Sequence, residues 1–315
     1  MGFFIKYQVN SLMELYDIKR GNRLESVQVK QFKFEKDIQN IVEKNLNQLF
    51  QLQFISSEFT IKNFRIDTLS FDKSNKSFVI IEYKKGKSYS VIDQGYSYLS
   101  MMLNHKSDFI LEYNENTSSN LKRGDVDWTQ SKVVFISPNF STYQKESINF
   151  KDLPIELHEI KRFSNNSIIV NQIKGDSSES VTTVSKGKGV IDKVSKEVKV
   201  YSEEDIVNFG EKEIQSVYYS LRSSILELED VEVQPRKKYI SFVTSRNICS
   251  VFVQKKKIKL WISLKIGELT DYNNLMRDVS HIGHHGIGDY EGFVDENTDI
   301  DYVMSLIKQS YDKQV

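Results

Sequence analysis

The stretch Ser77–Gly86, SFVIIEYKKG, constrains what this chain can fold into more than any other. Phe78 to Ile81 form an unbroken apolar run, which suits a strand covered on both sheet faces. The run then enters Glu82, Lys84 and Lys85. Burying a charge is costly unless it is paired or bound to a metal. Strand side chains alternate, so Phe78, Ile80, Glu82 and Lys84 share one face, and Val79, Ile81 and Tyr83 share the other. A carboxylate and an ammonium therefore project side by side from the end of an otherwise dry strand. An exposed ion pair of little energetic value is one explanation; a site is the other.

The surroundings bear on that choice. FRIDTLSF (64–71) reads as the preceding strand, and the turn around DKSN makes the two a hairpin. That hairpin can bring Asp67 opposite Glu82. Two close carboxylates repel unless a cation lies between them, and oxygen-only ligands suit Mg2+. Asp67 alone could equally be a turn or ladder partner. Residues 35–50 have helical apolar spacing, and a projection at about 100° per residue puts Glu35 on the apolar face beside Ile38, Val42 and Leu49. Such a carboxylate either meets the site or complements the helix dipole; Glu43 falls at the edge of that face and reads as solvated. A helix expected over 90–105 sets Gln94 and Tyr98 four apart on one face. QFISSEFTI, DFILEY and KVVFIS read as strands, and LPIELHEIKRF with SIIVNQI as a further hairpin. The whole predicts an α/β fold, a mixed sheet flanked by helices.

Asp67, fourteen intervening residues, then Glu82-Tyr83-Lys84 resembles the PD-(D/E)XK nuclease superfamily, with Ile66 where the motif's proline would stand. Gln94 and Tyr98 resemble the Gln-x-x-x-Tyr motif of its RecB-like and archaeal mismatch-endonuclease-like branches. The similarity runs from about Glu35 to Ser137. It implies a restriction-endonuclease-like fold and hydrolysis of phosphodiester bonds. It also implies Mg2+ or Mn2+ held by Asp67, Glu82 and Glu35. Lys84 would act on the attacking water and the scissile phosphate, and Gln94 would contact the backbone or the metal shell. Arg65, Lys85, Lys87 and Tyr98 would meet the substrate. The implied partner is nucleic acid, DNA before RNA; a homodimer is left open. A non-catalytic nucleic-acid-binding or protein-interaction module on the same fold is the alternative.

Composition bounds the rest. The 315 residues suffice for two domains, and 43 Lys+Arg balance 43 Asp+Glu, so no global basic field announces a polyanion. No run approaches the ~20 apolar residues of a membrane span. One cysteine, Cys249, forms no internal disulfide and reads as a core thiol, so the expectation is a cytoplasmic protein. Residues 176–200 are rich in Ser, Lys and Gly and read as a linker. They separate a nuclease-like domain (1–175) from a small α+β domain (201–315).

That second part predicts a long helix over 203–228, three strands (KYISFVT, ICSVFVQ, KIKLWISLK) and a closing helix, DIDYVMSLIKQSY. It resembles an uncharacterised bacterial domain found in chains labelled "predicted transport protein", although no span supports transport. QKKKIKLW sets a basic turn beside Trp261, compatible with nucleic-acid contact or with a solvated hairpin tip. RDVSHIGHHGIGDYEG (277–292) gathers His281, His284 and His285. A zinc site with Asp278 or Asp289 is conceivable there, but the glycines favour a loop.

Overall fold

The computed structural model describes residues 14–86, 90–175, 177, 179–181, 183, 189–283 and 285–314. The chain is a mixed α/β protein with two large sheets. The first contains β3 (Val29–Lys30), β4 (Gln53–Ile61), β5 (Phe64–Asp72), β6 (Ser77–Tyr83), β7 (Lys132–Ser137), β8 (Ile155–Phe163) and β9 (Ile168–Ile173). Its order is β3-β8-β7-β6-β5-β4, with β9 also on β8. β4, β5 and β6 run antiparallel, while β6, β7 and β8 are parallel. Upstream, β1 (Leu15–Lys19) and β2 (Arg23–Val27) form a separate hairpin.

β6 lies in the middle of this sheet, and every one of its residues is buried. Its alternation is the one expected. Phe78 and Ile80 enter one core, while Val79, Ile81 and Tyr83 enter another. The second core is closed by α1 (Glu35–Lys44) and α2 (Leu46–Phe50) through Ile38, Val42 and Leu46. The first is closed by α3 (Val91–Asn104) and α4 (Lys106–Thr117), through Tyr96, Leu99, Met102, Phe109 and Tyr113. The turn joining β5 to β6 is built by Asp72, whose carboxylate accepts the Ser74 and Asn75 N–H groups at 2.9 and 3.0 Å. Lys76 adopts the left-handed conformation there, φ 52°.

Several elements differ from expectation. DFILEY is helix, not strand. Phe109 and Tyr113, four apart, turn to the core and pack edge-on against Phe78 at ring distances of 5.6 and 6.2 Å. A short apolar run does not by itself separate the two periods. The helix over 35–50 breaks at Asn45, whose side-chain amide donates to the Ile41 carbonyl. The segment read as linker carries α6 (Gly189–Glu197), with Val194 and Val198 buried in the same core as Phe78. Ile191, Val194 and Val198 have helical spacing, hidden among Ser, Lys and Gly. A further short helix, α5 (Thr142–Ser147), precedes β8.

The second sheet is antiparallel and six-stranded. β10 (Glu232–Pro235), β11 (Ile240–Val243), β12 (Asn247–Val253), β13 (Ile258–Ile262), β14 (Met276–Asp278) and β15 (Tyr290–Val294) lie in the order β10-β11-β12-β13-β15-β14. Three of these strands were expected; the edge strands β10 and β14, and β15, were not. The expected helix over 203–228 is two, α7 (Glu203–Val207) and α8 (Lys212–Leu226). They part at Gly210, where a Cβ would come within 2.8 Å of Val253. α8 and the closing α9 (Ile300–Asp312) bury Tyr218, Leu221, Val303 and Ile307 with Phe242, Val251 and Leu260. Cys249 is fully buried among them, and burial pushes its thiol up.

Gly95 sets how closely α3 lies on the first sheet. A Cβ there would sit 2.5 Å from Ile155 Cδ1 and 3.5 Å from the Phe135 ring. Overpacking of this kind costs about 1–3 kcal/mol. Gly95→Leu is therefore expected to lower the denaturation midpoint by a corresponding amount, measured by urea unfolding; an unchanged midpoint would mean that α3 has room to move.

Candidate active site

The hairpin register puts Thr68 opposite Ile81, so the next pair along is Asp67 and Glu82. Both lie at the end of the hairpin away from its turn, on the face covered by α3. Glu82 is 5 % exposed, so its carboxylate must be satisfied by neighbours. Lys84 Nζ donates to Glu82 Oε1 at 2.7 Å, and Gln94 Nε2 donates to the same oxygen at 2.9 Å. The Tyr98 hydroxyl donates to Oε2 at 3.0 Å and accepts from Gln94 Nε2 at 3.2 Å. The four-residue spacing of Gln94 and Tyr98 is what lets one helix face deliver both. Lys84 itself is held by the ladder, its N–H donating to the Ile136 carbonyl at 2.9 Å.

Asp67 Oδ2 accepts the Tyr83 N–H at 3.0 Å. Burial, and next the Glu82 charge, raise the Asp67 carboxyl to about 6, against the opposing pull of the Tyr83 N–H and the Lys84 ammonium. The Tyr98 phenol is likewise raised, by burial first and then by Glu82. Asp67, Glu82, Lys84, Gln94 and Tyr98 are thus brought together in one cluster.

The flanking residues are placed differently. Glu35 is exposed, not on the buried face, and its Oε1 accepts the Lys85 N–H at 2.8 Å. The Lys85 ammonium donates to the Lys33 carbonyl. Arg65 is exposed and ion-paired with Glu58, which also holds Lys36 at 2.9 Å. Lys87 lies outside the described residues.

Behind the sheet stands a network that sequence reasoning missed. Gln39, 4 % exposed, shares the two hydrogens of Nε2 among three acceptors, the Asp67 carbonyl, Ser57 Oγ and Glu43 Oε1, each at 2.9 Å. Thr68 Oγ1 donates to Glu43 Oε1 at 2.6 Å and meets the Tyr83 hydroxyl at 3.1 Å. Glu43 is therefore bonded and half-buried rather than solvated. The signal was present, since Glu35, Gln39 and Glu43 recur every four residues along one helix ridge.

Asp67 and Glu82 together offer hard carboxylate oxygens, the donor type that suits Mg2+ with most of its waters retained. Burial first and then the Glu82 charge raise the Asp67 carboxyl, and a cation between the two would relieve the second of these. No cluster of three or more His, Cys, Asp or Glu suited to a metal occurs among the described residues. In the 277–292 loop His281 is exposed, His285 packs edge-on to Phe252, and His284 lies outside the described residues.

Comparison with known proteins places the chain. It belongs to the same family as an uncharacterized protein of Haemophilus influenzae, to which it is 48% identical over 300 residues, covering 95% of this chain and 99% of the relative. Residues 190–314 match a domain of unknown function, DUF5655. Solved structures similar to it include a repair endonuclease from Pyrococcus abyssi, with 16% identity, a TM-score of 0.22 and coverage of 38% of this chain and 44% of that one. An EndoMS–dsDNA2 complex gives 14%, 0.26, 46% and 60%. SfsA of Pyrococcus furiosus in complex with Ca2+ gives 16%, 0.23, 49% and 78%. The chain spans less than half of the first of these, and TM-scores of this size establish neither fold nor activity. No helix among the described residues is long and apolar enough to cross a membrane.

The Asp67 carboxyl makes stability depend on pH. Its folded value of about 6 exceeds the ordinary 3.8. The unfolded chain therefore releases this proton first as pH rises, and the fold loses stability between about pH 4 and pH 6. A gap of this size costs on the order of 3 kcal/mol at neutral pH. In chelator, Asp67→Asn is expected to raise the melting temperature at neutral pH and to leave it unchanged near pH 4. Equal melting of the two proteins at neutral pH would show that Asp67 carries no such penalty.

Proposed function

We propose that the protein is a nuclease dependent on Mg2+ or Mn2+ that hydrolyses phosphodiester bonds, in DNA before RNA. One observation carries this reading. Two carboxylates meet on one sheet face, one of them electrostatically strained, with a lysine ammonium on the other. When bound there, a divalent cation supplies Lewis acidity, lowering the pKa of a water and neutralising charge on the phosphate.

The chain's own residues set the rest. Asp67 and Glu82 would hold the cation. Asp67 is oriented through Oδ2 by the Tyr83 N–H, which leaves Oδ1 free of that bond. Gln94 and Tyr98 orient the Glu82 carboxylate. Lys84 has three N–H donors and spends one on Glu82; the others are available to a phosphate oxygen or to the attacking water. Glu35 fixes the Lys85 backbone beside Lys84 and so acts by positioning. The choice of DNA rests on the superfamily resemblance.

A specific observation favours a second reading, a nucleic-acid-binding module that does not cut. Glu82 already has three donors from the chain's own side chains. One experiment separates the two. Purified protein, Asp67→Asn and Lys84→Ala are incubated with single-stranded, duplex, nicked, mismatched and branched DNA and with RNA. Each substrate is tested with Mg2+, with Mn2+ and in chelator. Cleavage is expected only with metal, and each substitution is expected to slow it by about 100-fold or more. Mg2+ is also expected to raise the melting temperature of the wild-type protein but not of Asp67→Asn. Absence of cutting on every substrate, or equal cutting by the variants, would leave the binding module.

A further inference from the structure

The second sheet has two unlike faces. α8 and α9 cover the face made by Phe242, Cys249, Val251, Leu260 and Ile262. On the reverse face the register aligns a row across three strands. Phe252 of β12 stands opposite Lys259 of β13, which stands opposite Phe293 of β15. All three are half-buried. Neighbouring strands are about 4.8 Å apart, so the two rings flank the lysine on a shallow platform roughly 10 Å across.

Cations gather over this platform. Lys257 Nζ lies 3.6 Å from the Phe293 ring centroid, and Lys259 Nζ lies 5.5 Å from it. Glu291, 2 % exposed, organises the adjoining row. It accepts from Trp261 Nε1 at 2.9 Å and pairs with Lys259 at 3.3 Å and with Arg277. Two cations thus face one carboxylate, and that carboxylate is buried. Exposed Lys255 and Lys256 continue the charge along the β12–β13 turn.

Trp261, the aromatic singled out in the sequence, is not the platform. It is 1 % exposed, and a Cβ on Gly286 would fall 2.4 Å from its ring, so the 279–289 loop lies on it.

We propose that this face binds a single-stranded nucleic acid, with a base taking the place of the Lys257 ammonium over Phe293, since Phe252 is already met edge-on by His285, and with phosphates meeting Lys257, Lys259 and Arg277. Single strands expose base faces that a duplex keeps stacked internally, and aromatic rings set among cations are how sheets take them. An acidic peptide would use the lysines but draw nothing from the rings. The binding site is separate from the Asp67–Glu82 cluster and does not depend on cleavage there.

The test is fluorescence anisotropy with the full chain in chelator at low salt, which removes any contribution from cutting. The probes are a labelled oligo-dT of about 12 nucleotides, within the usual site size of single-strand binders, a duplex of equal length, and a poly-Glu peptide. Oligo-dT is expected to bind most tightly, with an affinity that falls as salt rises. Phe293→Ala and Lys257→Glu are each expected to weaken it roughly tenfold, in the range of one lost stacking platform. Lys308→Glu, at an exposed lysine of α9 on the other side of the sheet, is expected to bind as wild type. Thermal melting checks that Phe293→Ala remains folded, and Lys257, being exposed, gives an independent variant. The proposal is overturned if the wild-type chain does not bind, if Phe293→Ala and Lys257→Glu bind as well as wild type, if Lys308→Glu loses binding as much as they do, or if duplex or poly-Glu binds more tightly than oligo-dT. A chain that passes this test and cuts nothing would separate this inference from the nuclease reading.

Discussion

The rest of the N-terminal half depends on one demand, that a carboxylate be satisfied at the end of a strand dry on both faces. β6 is buried along its whole length, and a buried charge without partners is costly. Glu82 obtains its donors from two directions. Lys84 comes from its own strand, while Gln94 and Tyr98 come from α3. That requirement explains why α3 approaches the sheet as closely as Gly95 allows. It also explains why the chain at Lys84 continues the ladder to Ile136 instead of turning away. The site and the packing of the helix layer are thus one problem with one solution.

Another carboxylate in the same sheet shows by contrast what is unusual here. Glu156 on β8 is also held against the sheet, where burial works to raise its carboxyl. The Lys132 ammonium at 2.7 Å and His158 at 3.2 Å outweigh burial and keep it well below the usual carboxylate range. That cluster is self-sufficient and stabilises the ionised form. At Asp67 the balance runs the other way, because burial is reinforced by the Glu82 charge and the Lys84 ammonium is already engaged by Glu82. Perturbation by burial combined with a like charge marks groups arranged for a task more often than groups arranged for stability. Such strain persists where the surrounding structure over-determines it. Here the Tyr83 N–H holds the Asp67 side chain, and Gln39 holds its carbonyl.

The second sheet obeys a related rule with a different outcome. One face is an ordinary apolar core under two helices. On the other, buried Glu291 accepts from the Trp261 N–H and pairs with half-buried Lys259 and exposed Arg277. This arrangement pays for its own desolvation through paired charges and so keeps lysine and arginine at fixed positions beside Phe293. Gly286 completes it by closing over Trp261, while Phe293 stays half-exposed.

Local pattern alone determined much of the site. The alternation of SFVIIEYK placed Glu82 and Lys84 on one face, the DKSN turn paired Asp67 with Glu82, and a four-residue spacing aligned Gln94 with Tyr98. These are consequences of strand period two and helix period 3.6, which need no tertiary partner. Other features were decided only by what packs against them. DFILEY became helix because Phe109 and Tyr113 found the core at Phe78. The segment read as linker holds a helix because Val194 and Val198 found the same core. Glu35 and Glu43 differ from expectation because the docking of α1 on the sheet, which no single helix encodes, carried Glu43 to Thr68 and left Glu35 exposed on the Lys85 N–H. Which strands share an edge, and which cations gather over Phe293, are long-range pairings between residues distant in the chain. A one-dimensional pattern has no means of recording them until the sheets close.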